Sequence, residues 1–157
     1  MEQVVYAPWL LVQYQKWWTL KRLELLFDVE FTVLFLRICA YATQFLPSPT
    51  YTIDRIRGML LADIRDTCHA IAEKLSTVCE KLDERGTLLR VQHLSILGLQ
   101  WQCEGRMNAF WETLNRTILV AHRIGLHRGR ATWRSGMHDF DKEIRCRVFC
   151  NLYVWDR

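Results

Sequence analysis

A chain of 157 residues, 50 % hydrophobic and 24 % charged, is long enough to close one globular core. Aromatics at 12 %, with only seven glycines and three prolines, exclude a disordered chain and argue against a turn-rich sandwich or barrel. The net charge of +4 is too small to mark a nucleic-acid surface by itself, although Arg116–Arg147 holds eight basic and three acidic residues.

The pattern predicts an all-α, irregular multi-helix domain of about six helices. The first, Pro8 to about Lys21, is rich in aromatics (Trp9, Tyr14, Trp17, Trp18). The second, Phe27 to Phe45, is so densely apolar that it must be buried nearly all round, and Pro47-Ser48-Pro49 ends it. Thr52 or Asp54 is placed to cap a third, with apolar residues every three or four positions: Ile56, Leu60, Ile64, Cys68, Ile71, Leu75, Val78 and Leu82. Charged residues hold its other face, and Gly86 is expected as its C′ glycine.

A fourth helix follows from Leu88 to about Cys103, with Gly98 a weak point, and Gly105 separates it from the fifth, Arg106 to Ile124. The expected inner stripe of the fifth is Met107, Phe110, Trp111, Leu114, Ile118 and Ala121, and Gly125 closes the helix. After a polar basic loop, a sixth helix starts near Asp139, its expected cap, with the stripe Ile144, Val148, Leu152 and Trp155. No stop signal precedes Arg157, so the chain reads as a single partial domain, C-terminally truncated.

Asp28, Glu30 and Arg37 interrupt the most apolar stretch, Leu25 to Leu46, which rules it out as a membrane span; no membrane partner is expected. The six cysteines contain no C-x2-C pair, so they read as reduced thiols rather than metal ligands. No basic stretch precedes Lys16, and a reducing intracellular compartment fits best.

Enzyme signatures such as G-x-S-x-G, G-x-G-x-x-G and H-E-x-x-H are absent. His122 and His127 lie five apart, roughly 140° around a helix that Gly125 interrupts, so they are not expected to meet. Asp141 with Arg145 and Glu143 with Arg147 are i,i+4 pairs, readable as surface pairs or as a partly buried clamp on a neighbouring helix. Arg128, Arg130 and Arg134 could touch phosphate, but direct DNA binding is the weaker reading. Trp17, Trp18, Trp101 and Trp111 could line a pocket in a small-molecule sensor or an orphan helical enzyme; core packing is the simpler role.

The second half carries a resemblance. Ala121-His122-Arg123-Ile124-Gly125-Leu126-His127-Arg128 is similar to a helix ending in alanine followed by G-L-H-R. Glu143-Ile144-Arg145-Cys146-Arg147, then Phe149-Cys150 and Leu152-Tyr153-Val154-Trp155-Asp156-Arg157, is similar to E-x-R-R-R, two aromatics and L-Y-x-x-D-R. Together they resemble the regulatory middle homology region of fungal transcription factors of the binuclear zinc cluster class, the xylanolytic-activator type. Cys146 departs from the middle arginine, and Phe149-Cys150 stands where two tryptophans are common.

The resemblance is strongest over 115–157. It implies that residues 51–157 form a helical regulatory region preceded by aromatic and apolar helices in 1–50. It further implies a nuclear regulator of transcription rather than an enzyme, acting through intramolecular contacts or co-regulator proteins. Zinc and DNA recognition would belong to an N-terminal cluster with two C-x2-C pairs, which these residues lack. No cofactor is therefore expected in this chain, and DNA would be met only indirectly. Gly125, Leu126, His127, Arg128, Glu143, Arg145, Arg147, Asp156 and Arg157 are assigned a structural role: the glycine turns the chain, and the charged residues tie the fifth helix to the sixth. An exposed stripe of Val148, Leu152 and Trp155 would favour a homodimer.

Overall fold

In a computed structural model, residues 4–46, 55–128 and 137–157 are described. Their helices are α1 (Ala7–Trp18), α2 (Leu26–Ala42), α3 (Leu61–Leu82), α4 (Leu88–Cys103), α5 (Met107–Arg123) and α6 (Asp139–Trp155), with a two-stranded hairpin, β1 (Arg55–Ile56) and β2 (Met59–Leu60), before α3. The domain is all-α in class, as expected. No described helix is long and apolar enough to cross a membrane.

α4 is the axis of the fold. Thr87 caps it by accepting the Arg90 backbone N–H at 3.1 Å, and every residue from Leu89 to Gly98 is buried. It packs against α2 and α5 and touches α6, while α3 lies on α2. Val91, Leu94 and Leu97 on one side of α4 meet Phe110 and Leu114 of α5 and Ile144, Val148 and Leu152 of α6. Leu89 and Ile96 on another side meet Phe31 and Leu34 of α2, with Trp9 and Trp17 of α1 packed on that cluster. No residue of α2 from Asp28 to Tyr41 is exposed, in accord with its dense apolar pattern.

The third helix departs from expectation in three ways. It begins at Leu61, because Arg57 and Gly58 both adopt positive φ (49° and 83°) and turn β1 back on β2 as a tight hairpin. Ile56 and Leu60 are therefore exposed strand residues, and Thr52 and Asp54 fall outside the described residues. The buried face of α3 is Leu61, Ala72, Ser76 and Cys79, rotated from the apolar stripe by about one residue; small side chains there let α3 sit close to its neighbours. Ile71, Val78 and Leu82 stay 44 %, 49 % and 69 % exposed. Finally, α3 ends at Leu82, so Gly86 is not its C′ residue: it turns the α3–α4 connection at φ 88°, where a Cβ would lie 2.7 Å from Val120 Cγ1 of α5.

α5 buries Phe110, Leu114 and Ala121 as predicted, but Thr113, Thr117 and Val120 complete that face. Met107 and Trp111 are exposed instead. Thr117 donates its hydroxyl to the Thr113 carbonyl at 2.6 Å, which satisfies that buried donor within the helix. In α6 the stripe Ile144, Val148 and Leu152 points inward, with Val148 and Leu152 at 0 % and 1 % exposure. The stripe expected to be free for a homodimer is thus core. His138, not Asp139, is the N-cap residue of α6, and the helix stops at Trp155 with Asp156 as its C-cap.

Candidate functional site

A buried carboxylate lies at the junction of α2, α3 and α4. Glu30 Oε1 accepts from Arg90 Nη2 at 2.9 Å and Nε at 3.2 Å, with side chains 0 % and 3 % exposed. Thr87 donates its hydroxyl to Glu30 Oε2, so the cap of α4 and the ion pair share one network. Arg90 also donates to the carbonyls of Asp83 (2.6 Å) and Cys79 (2.9 Å), the latter of which also accepts the Asp83 N–H at 3.0 Å, so the arginine is tied to the C-terminal end of α3. Burial, then the nearby Glu30 charge, pushes the Cys79 thiol up to about 11, so it stays protonated.

A second charged group, Arg37, is 1 % exposed on α2. It donates to Glu73 Oε2 at 2.5 Å and to His69 Nδ1 at 2.6 Å, both on α3. A guanidinium only donates, so His69 accepts at Nδ1 and is neutral with its proton on Nε2. Burial and the Arg37 charge hold His69 below the usual histidine value. His93 of α4 is fully buried, and neither ring nitrogen has a hydrogen-bond partner among the described residues. Its burial, followed by the charges of Arg37, Arg90 and Arg116, keeps it neutral well below the ordinary range. Outside this interior lies an open groove of about 710 Å³, with Arg85, Arg116 and Arg123 beside Glu80 and Glu84. Arg116 pairs there with Glu80 at 3.0 Å.

The motif residues fall into two groups joined by α6. Gly125 has φ 75°; its N–H bonds the His122 carbonyl at 3.0 Å and the Leu126 N–H bonds that of Ala121 at 2.9 Å, which is a Schellman cap. Leu126 is thereby tucked into the core against α6. The same turn folds His127 back onto His122, ring centroids 4.7 Å apart, contrary to the separation expected from helical spacing alone. Phe149 of α6 approaches His122 at 6.3 Å. Glu143 and Arg147 bond each other at 2.9 Å along α6, 41 % and 48 % exposed, which is the surface-pair geometry rather than a pair spanning α5 and α6. Arg145 is half-buried, and its burial outweighs the opposing field of Asp141. Arg157 lies over the Tyr153 ring at 4.5 Å, with Asp156 beside it exposed. Arg128 is exposed after the turn; Arg130 and Arg134 lie outside the described residues.

Trp17, Trp18, Trp101 and Trp111 do not gather around one pocket. Trp17 donates to Thr32 at 2.8 Å, Trp18 is 70 % exposed, Trp101 stacks beneath Arg106, and Trp111 meets Phe110 edge-on. Among the described residues, no three or more His, Cys, Asp or Glu side chains are grouped to hold a metal ion.

The profile of the Fungal specific transcription factor domain matches residues 9–157, and the chain belongs to that family. It is 45 % identical to the transcription factor xilB of Penicillium rubens over 99 % of this chain and 24 % of that protein. It is 42 % identical to the probable transcription factor sol4 of Alternaria solani over 97 % of this chain and 28 % of that protein. The chain thus spans about a quarter of the length of these curated relatives. The family and these relatives are transcription factors, not enzymes. No solved structure matches.

Proposed function

We propose that this domain is a regulatory module of a nuclear transcription factor, acting through contacts with other segments of a longer polypeptide or with co-regulator proteins. In this reading it takes no cofactor, and DNA and zinc are the business of other parts of the polypeptide. The observation that carries the contact mechanism is α3, which turns small and polar residues inward and leaves Ile71, Val78 and Leu82 on the surface. A helix face of that kind, on a rigid core built around a buried ion pair, fits a protein-docking role better than a catalytic one.

The test places the chain between an unrelated DNA-binding module and an activation segment and measures reporter transcription in a fungal nucleus. A several-fold change in output relative to a flexible linker of equal length is expected. Equal output from the two fusions, with both expressed and nuclear, would sink the reading.

A further inference from the structure

The partner chemistry of α3 is written along its exposed edge. Ile71, Leu75, Val78 and Leu82 follow i, i+4, i+7 and i+11, the spacing by which one helix lays a ridge against another. Ile71, Val78 and Leu82 are exposed and Leu75 is half-buried, so the ridge is open along about 16 Å, three helical turns. Its two flanks differ. One, including Ala72 and Cys79, is buried against the domain; the other carries the exposed Lys74 and Lys81, one heptad (about two turns) apart.

We propose that this ridge docks an acidic amphipathic helix of about 12 residues, whose apolar side covers the four aliphatic side chains and whose carboxylates face Lys74 and Lys81. A second copy of the chain fits poorly. Two-fold-related copies of α3 running antiparallel would set these lysines against each other, and a parallel pairing would need the flank already buried. The proposal rests on the protein-contact reading above and names the partner of that surface.

The experiment uses the full chain and fluorescence anisotropy with a labelled helical peptide bearing leucines at i, i+4, i+7 and i+11 and glutamates elsewhere. Saturable binding is expected, weakened about tenfold or more by Val78→Glu. The paired Lys74→Glu and Lys81→Glu variant should lose the acidic peptide and gain the lysine version of the same peptide. Those exposed positions keep the test valid if Val78→Glu misfolds. Equal affinity for the acidic and lysine peptides, or no change with the lysine reversal, would overturn the proposal. So would a dimer in sedimentation that Val78→Glu dissolves, since that assigns the ridge to a second copy. Peptide binding without any reporter effect would instead remove the regulatory reading and leave the ridge assignment standing.

Discussion

Between α2, α3 and α4 the interior is joined by buried charge, whereas between α4, α5 and α6 it is filled with hydrocarbon. Glu30, Arg37 and Arg90 are all at most 2 % exposed, and each reaches a partner on a different helix. On the other side, Leu97, Phe110, Leu114, Val148 and Leu152 form one continuous apolar cluster, with the polar work done at its edge by the Gly125 cap. Hydrocarbon packing tolerates volume-conserving change. A buried ion pair specifies its partners but is costly to break, because removing one charge strands the other. The two halves should therefore respond differently to substitution.

The sharpest break falls on the charged half. Arg90→Met should destabilise the chain by about 3–5 kcal/mol, since Glu30 would be left charged and buried. Chemical denaturation should show a large drop in midpoint for this variant. The double variant Glu30→Met with Arg90→Met should recover part of the loss, and a double variant as unstable as the single one would mean that the ion pair is not what couples α2 to α4.

Next come two glycine turns, one in each half: Gly86 between α3 and α4, and Gly125 after α5. Gly86→Ala must accommodate both a φ of 88° and a Cβ 2.7 Å from Val120 Cγ1, for a cost of about 1–3 kcal/mol. Gly125→Ala meets only the flexible Arg128 side chain at 3.4 Å, so its cost should be closer to about 1 kcal/mol of backbone strain. Thermal unfolding of both variants checks the order; a reversed order would mean that Val120 yields more readily than the arginine.

The halves also differ in how far the sequence exposes them. The six helices are legible because Gly105, Gly125 and Pro47 punctuate strong 3.6-residue patterns, and the cap at Gly125 belongs to a recognisable local motif. The charged interior is not legible in that way. Glu30 and Arg90 are 60 residues apart, and Arg37 and Glu73 are 36 apart, so no local spacing joins them. A signal was present all the same: charges at 30 and 37 inside a helix that must be buried all round require polar partners on a neighbouring element. The rotations of α3 and α5 escaped the pattern for another reason. Periodicity identifies the most apolar face, but close packing chose the faces with Ala72, Ser76, Thr113 and Thr117.

Acid should act through the charged half first. His69 and His93 are held below the ordinary histidine value of about 6.5 in the folded chain, so the unfolded chain takes up protons before the folded one does. Their contribution is fully present above that value and is lost as pH falls below it toward the lowered folded values. Melting temperature should therefore fall between pH 7.5 and pH 5, and His93→Leu should flatten part of that slope while leaving the share due to His69. Replacing a buried ring with two unmet nitrogens by hydrocarbon should also raise the melting temperature at neutral pH. An unchanged slope in the variant would show that His93 is not a source of the acid sensitivity.

The smallest effect is expected where the motif looks most conspicuous. Glu143 and Arg147 are nearly half exposed and bond within one helix, so solvent screening and side-chain entropy offset most of their attraction. Glu143→Ala or Arg147→Ala should each cost only about 0.3–0.5 kcal/mol, the value of an exposed i,i+4 pair. A shift well above that in either melting transition would restore the clamp between α5 and α6. If both shifts stay small, α6 is held by Ile144, Val148 and Leu152, and its charged face is left to contribute something other than stability. Salt separates the two readings: raising ionic strength past the range where surface attraction survives should erase the small cost of each alanine, whereas a buried clamp would keep it.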